Sequence, residues 1–183
     1  MAKVIDRKSL DKIASSVGGL LAVGLLVAGG LMTWAYNFTN DQVRTQLSAQ
    51  QIFLPAAGSG GLTSLPAADQ AIVAKYAGEQ VINGRQAEVF ADHYIAVHIR
   101  GIGKGMTYSQ ASAASMAAPT DSALAGEVQT LFRGETLRGM LLNAYAFWQI
   151  GQIVKVASYV AYLGGVLFLL LTLLGFRHGR RQE

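Results

Sequence analysis

The stretch VASYVAYLGGVLFLLLTLLGF, residues 156–176, contains no Asp, Glu, Lys, Arg or His. About 20 such residues are enough for a helix to cross the ~30 Å hydrocarbon core of a bilayer. Backbone groups in lipid must hydrogen-bond to each other, so a helix is the economical form for a crossing segment. We therefore predict that residues 156–176 form a transmembrane helix.

A second uncharged stretch, IASSVGGLLAVGLLVAGGLMTWAY, occupies residues 13–36 near the other end of the chain. It follows a basic start, which is also the pattern of a cleaved signal peptide. The apolar core of a signal peptide usually has ~7–15 residues, and this stretch is longer. We interpret residues 13–36 as an uncleaved signal anchor and a second transmembrane helix.

The composition agrees with a membrane protein. Of 183 residues, 51% are hydrophobic and 14% are charged, whereas soluble domains carry about 25% charged residues. This balance excludes intrinsic disorder, which needs low hydrophobicity and high charge. The chain has no Cys, which excludes disulfides, thiolate metal sites and a cysteine nucleophile.

Lysine and arginine residues predict the orientation of the chain. The tail 1–12 has four basic and two acidic residues, and the tail 177–183 has three basic and one acidic residue. The segment 37–155 between the stretches spreads eight basic and eight acidic residues over a much greater length. Because basic residues favour the cytoplasmic side, we predict a multi-pass protein of the cell membrane. Both tails would be cytoplasmic and residues 37–155 external.

Aromatic residues mark the predicted outer ends of the two helices. Trp34 and Tyr36 end the first stretch, while Tyr159 and Tyr162 begin the second. Such amphipathic rings are favoured at the membrane interface. Packing between the two helices is the alternative explanation for these rings.

The external segment has helical patterns broken by glycine and proline. The helix of residues 13–36 should continue outward until Pro55, and the stretch to Pro66 has the composition of a loop. Asn83-Gly84 marks a turn. Further helices are predicted over residues 66–80, 85–100 and 107–117.

A last helix should begin after a cap at Thr120 or Asp121 and continue to residue 176, with or without kinks at Gly134 and Gly139. The predicted fold is an all-α membrane protein. Its two transmembrane helices extend outward as a helical hairpin stalk, and residues 55–119 form a small helical insert.

Small residues recur every four positions in both predicted transmembrane helices. They are Ala14, Gly18 and Ala22 in the first helix, and Ala157, Ala161 and Gly165 in the second. Small side chains at this spacing let two helix backbones approach closely. We predict that the two helices pack through these faces.

The external segment lacks a convincing catalytic or metal-binding pattern. His93 and His98 are five residues apart, which places them roughly 140° apart on a helix, whereas helical zinc ligands share a face. The run Gly101–Gly105 has glycine after Lys104, where a phosphate-binding loop needs serine or threonine. We predict a non-enzyme with no catalytic, cofactor-binding or metal site and with no cofactor. The two histidines are the residues on which this prediction depends most.

One family resemblance rests on LFRGETLRGMLLNAYAFW, residues 131–148, and GMTYSQASA, residues 105–113. These segments resemble a group of small actinobacterial membrane proteins with two spans and an external helical domain. Some small two-span proteins of this kind are accessory subunits of respiratory supercomplexes. The resemblance therefore implies a role as an accessory subunit and brings no functional residues with it.

Two functions remain open at this point. The first is a non-enzymatic accessory or scaffold subunit of a larger membrane complex, whose partners are membrane lipids and other integral membrane proteins. It would bind its partner through the apolar side of residues 124–148, with Leu131 and Trp148 as contacts. The second is an external ligand-sensing or substrate-binding module around His93, Tyr94 and Arg100. Basic residues are too scattered for nucleic-acid binding, and the first function involves no small-molecule ligand.

Overall fold

In a computed structural model, which describes residues 7–180, the chain is all-helical. Helix makes up 83% of the described residues, and these residues contain no strand. The helices are α1 (Arg7–Ala49), α2 (Gly60–Thr63), α3 (Ala67–Val73), α4 (Gly84–Val89), α5 (Ala96–Ile102), α6 (Tyr108–Ala117) and α7 (Ser122–Arg180). A 3₁₀ turn, Ala74–Tyr76, follows α3, and a π-helical segment, Phe90–Ile95, joins α4 to α5. The predicted all-α class is confirmed.

Helices α1 and α7 are both long and apolar enough to cross a membrane. Only 17% of the most apolar part of each helix is buried inside the protein, whereas the core helix of a soluble protein is mostly buried. Helix α7 is uninterrupted from Ser122 to Arg180, so Gly134 and Gly139 do not break it. The outer ends of the two predicted tails, residues 1–6 and 181–183, lie outside the described residues.

The chain divides into two compact units. The first unit comprises the residues up to Phe38 and those from Gly151 onward, and the second comprises Thr39–Ile150. The first unit therefore contains both predicted transmembrane stretches, and the second contains most of the predicted external segment.

In the first unit, α1 and α7 pack against each other in opposite directions through small residues. A Cβ atom on Gly165 would lie 2.9 Å from the Leu26 side chain, and one on Gly18 would lie 2.8 Å from the Thr172 hydroxyl. Ala22 and Ala161 are buried. The predicted small-residue contact is confirmed at these positions, while Ala14 is exposed.

The aromatic residues at the predicted outer ends of the helices differ in their surroundings. Tyr162 packs against Gly29 and lies 3.2 Å from the Thr33 hydroxyl, so it belongs to the helix contact. Trp34 and Tyr159 are more than half exposed, as residues at a membrane interface would be.

The core of the second unit is assembled from every helix of that unit. The buried apolar residues are Val43, Leu47, Leu54, Leu62, Leu65, Val73, Val81, Ala87, Val89, Phe90, Ala91, Ile95, Ile99, Ala111, Leu131 and Leu141. The stretch 55–66, predicted to be a loop, contributes Leu62 and Leu65 and contains the short helix α2. This stretch is therefore part of the packed domain. Helix α1, predicted to continue until Pro55, ends at Ala49, so Leu54 joins the core from outside it.

Local capping sets three of the helix starts. The amide oxygen of Asn83 accepts from the Gln86 backbone N–H at 3.0 Å and begins α4, so the predicted turn is a helix cap. Thr107 forms a capping box at the start of α6. Asp121 accepts from the Leu124 backbone N–H at 2.9 Å, as the predicted cap of α7 requires.

Candidate functional site

The π-helical segment Phe90–Ile95 interrupts the regular α-helix between α4 and α5. Segments of this kind often occur at functional sites because the extra residue changes the direction of neighbouring side chains. Here the segment carries Asp92 and His93, and both side chains bind residues of other helices. The predicted helix over residues 85–100 is thus present but contains this irregularity.

His93 is held by a carboxylate from α3. Its Nδ1 lies 2.8 Å from Oδ1 of Asp69, and each of the two side chains is 24% exposed. The pair links α3 to the π-helical segment, and it leaves the ring partly in contact with solvent. In catalytic sites a carboxylate can orient a histidine in this way. Nucleophilic catalysis also requires a nucleophile within hydrogen-bond reach of that histidine.

His98 has different surroundings from His93. Its Nδ1 lies 2.7 Å from the backbone carbonyl of Tyr94, and its ring lies 4.4 Å from the Tyr94 ring. The two histidines therefore bind different partners. Across residues 7–180, no group of three or more His, Asp or Glu side chains is arranged to hold a metal ion.

Arg138 connects α7 to the π-helical segment. Its Nε and Nη2 atoms both donate to Oδ1 of Asp92, at 3.1 and 2.8 Å, and its Nη1 lies 3.4 Å from Glu135. The hydrogen bonds to Asp92 raise the pKa of the Arg138 guanidinium, although partial burial acts in the opposite direction. The predicted interaction between Glu135 and Arg138 is present, and Asp92 is the partner that sequence spacing did not indicate.

Arg100 lines a small pocket of about 170 Å³ in the second unit. Glu135, Arg138 and Thr107 also line it, whereas neither His93 nor Tyr94 does. The residues named for the ligand-sensing alternative are therefore not brought together around this pocket. Small-molecule sites usually enclose about 300–1,000 Å³, so this pocket is small for such a role.

The Gly101–Gly105 segment forms a turn after α5. Lys104 and Gly105 have positive φ angles of 51° and 85°, and the Lys104 ammonium lies 2.7 Å from Glu127. This hydrogen bond with Glu127 raises the pKa of Lys104. The lysine is thus paired with a carboxylate on α7, which does not favour phosphate binding here.

A row of exposed apolar side chains runs along α7 within the second unit. Phe132, Met140, Phe147 and Ile150 are 49%, 63%, 54% and 56% exposed. At about 100° per residue, these four positions fall within a sector of about 80° on the helix, which also contains the exposed Thr136 and Asn143. We call this row the α7 apolar face. Exposed apolar patches of this kind mark interaction surfaces.

Leu131 and Trp148 do not belong to the α7 apolar face. Leu131 is 2% exposed and lies in the core of the second unit. Trp148 packs so closely against Gly84 that a Cβ atom there would collide with it. The prediction that Leu131 contacts a partner is therefore wrong, because the short helices of the second unit cover that side of α7. Trp148 is half-buried against α4 of its own chain.

Comparison with known proteins gives no further assignment. No protein family, curated protein or solved structure matches this chain.

Proposed function

We propose that this protein is a non-enzymatic accessory or scaffold subunit of a larger membrane complex. In this proposal α1 and α7 are transmembrane helices that extend outward as a hairpin stalk, both termini are cytoplasmic, and the second unit is external. The partner is another integral membrane protein. The resemblance to small actinobacterial two-span proteins implies that this larger complex is a respiratory supercomplex.

The observation that carries the proposal is the α7 apolar face. Aromatic residues and methionine are enriched at the centres of protein interfaces, and Phe132, Met140 and Phe147 are of these types. The face lies on a helix whose other side is fixed in the core by Leu131 and Leu141, both almost fully buried. A rigid apolar surface of this kind binds with little loss of conformational entropy.

The proposal is tested by purifying the tagged full-length protein from its own membrane in mild detergent. We expect other membrane subunits to co-purify at a fixed ratio. Met140→Lys should reduce this yield because it places a charge on the α7 apolar face. Thr130→Lys is the matched control, since Thr130 is exposed on the same helix at about 120° from the middle of that face.

Two results would count against this function. Equal recovery of partners with Met140→Lys and with the wild-type chain would exclude the α7 apolar face as the interface. A protein that purifies alone and binds a small molecule would instead support the ligand-sensing alternative.

A further inference from the structure

The first unit contains a cavity of about 480 Å³ between the N-terminal part of α1 and the C-terminal part of α7. Asp11, Ser15, Thr172 and His178 supply polar groups to its lining, and apolar residues such as Phe168 and Leu171 supply the rest. The volume lies within the range of about 300–1,000 Å³ that is usual for ligand sites, as does the pattern of a few polar groups on apolar walls.

Thr172 lines this cavity and has an unpaired hydroxyl. The residue is only 7% exposed, and its Oγ1 has no hydrogen-bond partner within the described part of the chain. Threonine hydroxyls in helices commonly bond to the carbonyl four residues earlier, and those of Thr33, Thr130 and Thr136 do so here. The Thr172 hydroxyl instead points across to α1, where a Cβ atom on Gly18 would lie 2.8 Å from it.

Asp11 also lines this cavity. Its Oδ2 is buried and, among the described residues, has no hydrogen-bond partner. A buried polar group without a partner is costly, and a carboxylate oxygen more so than a hydroxyl. The cavity therefore favours a ligand that donates several hydrogen bonds and carries positive charge. A primary ammonium group does both, since it has three N–H donors.

The position of the cavity indicates where such a ligand comes from. Asp11 precedes the apolar stretch 13–36, and Thr172 lies near the end of the stretch 156–176. These ends would meet the polar headgroup region if α1 and α7 cross a membrane. Lys12 and Arg177 adjoin two lining residues in the sequence and are exposed, so cations are available close by for a lipid phosphate.

We propose that this cavity binds the headgroup of a phospholipid with a primary ammonium, as in phosphatidylethanolamine. The ammonium donates to Asp11 and to the Thr172 hydroxyl, and an acyl chain lies against Phe168 and Leu171. The proposal rests on the part of the proposed function in which α1 and α7 span a membrane. It requires no partner protein.

The test is lipid retention by the purified full-length protein, measured by native mass spectrometry. Phosphatidylethanolamine is compared with phosphatidylcholine of the same acyl chains, whose quaternary ammonium has no N–H to donate. We expect about tenfold stronger retention of phosphatidylethanolamine, the effect of one charge-assisted hydrogen bond. Asp11→Asn should remove most of this preference, whereas Asp41→Asn, at an exposed position of the same helix, should not.

Thr172→Val separates binding from folding. Valine has nearly the shape of threonine and removes the unpaired hydroxyl, so the melting temperature in phosphatidylcholine should stay equal or rise. The preference for phosphatidylethanolamine should nevertheless fall. If the variant retains the full preference, Thr172 takes no part in binding and the proposed site is wrong.

Other outcomes distinguish this proposal from the proposed function. Equal retention of the two lipids by a wild-type protein that floats with liposomes would overturn the lipid site alone. A protein that fails to float with liposomes would overturn both proposals. A photo-reactive residue in place of Ala14 should form an adduct with lipid, and an adduct with another protein would assign the cavity to a partner helix instead.

Discussion

Single side chains in the second unit are held by carboxylates from distant parts of the chain. His93 binds Asp69, and Arg138 binds Asp92. Both pairs are partly exposed, and polar contacts in such surroundings contribute little because solvent competes with them. Each pair joins the π-helical segment to another helix, Asp69 lying on α3 and Arg138 on α7, so we attribute a structural role to both pairs.

At the residue scale, we expect the double variant His93→Ala, His98→Ala to fold and to retain its partners. The variant loses the hydrogen bonds of His93 to Asp69 and of His98 to the Tyr94 carbonyl. The first is the less exposed, and its loss should account for most of a decrease of about 1 kcal/mol in the free energy of unfolding. Thermal unfolding in detergent and the yield of co-purified subunits measure the two effects. His98→Ala alone is the control and should change stability by less than about 0.5 kcal/mol, since its ring is exposed.

This prediction has a clear counter-result. If the folded double variant keeps its partners but loses the cellular function of the protein, the non-enzymatic assignment fails. A metal or acid–base site would then have to be sought around His93.

At the element scale, α7 is one helix with two different surroundings along its length. In the second unit, Gly134 faces the core so closely that a Cβ atom would collide with Ile99, whereas a Cβ atom on Gly139 would meet nothing within 4 Å. In the first unit, Gly165 lies against Leu26 of α1. Glycine therefore permits close packing at Gly134 and Gly165, whereas at Gly139 it only lowers helix propensity.

Alanine at these two glycines should have opposite effects. Gly134→Ala should destabilise the protein by about 1–3 kcal/mol, because the added methyl group overpacks the core at Ile99. Gly139→Ala should stabilise it by up to about 1 kcal/mol, since alanine is the better helix former. Chemical unfolding of the full-length protein in detergent compares the two. Two changes of the same sign and size would refute the close contact at Gly134.

The contact between α1 and α7 gives a second prediction at this scale. Gly165→Leu should lower the melting temperature in detergent, because a larger side chain forces Leu26 and the α1 backbone away. Leu169→Ala is the comparison, since Leu169 is 40% exposed and its truncation should matter less. Similar losses from both changes would argue against close packing at Gly165.

At the scale of the whole molecule, the two units differ in how far their apolar side chains are buried. The second unit has a buried core of its own, while the first leaves most of its leucine, isoleucine and valine side chains exposed. Exposed apolar surface of this extent is typical of helices that contact lipid. In the orientation that we propose, the ends of the helices that are rich in Lys and Arg are cytoplasmic.

This topology is tested with single cysteines in a chain that has none of its own. Ser64→Cys lies in the exposed part of the second unit, and Gln182→Cys lies in the C-terminal tail, outside the described residues. An impermeant thiol reagent should label position 64 in intact cells and position 182 only after the membrane is opened. The reverse pattern would overturn the proposed orientation.

The features that the sequence determined by itself are local ones. An uncharged stretch of sufficient length predicts a long apolar helix because each helical hydrogen bond joins residues only four apart. The cap at Asp121 and the small-residue spacing depend on equally short distances, and the structure contains both. The same reasoning predicted that helices would dominate the chain.

The tertiary structure decided which side of each helix is covered. Asp69 and His93 are 24 residues apart, and Asp92 and Arg138 are 46 apart, so no local spacing indicates either pair. Leu131 was expected on a partner surface because it is apolar and helical, but the insert packs over it and leaves Met140 and Phe147 exposed. Periodicity shows that a helix has an apolar face, whereas only the packing of distant segments determines what covers that face.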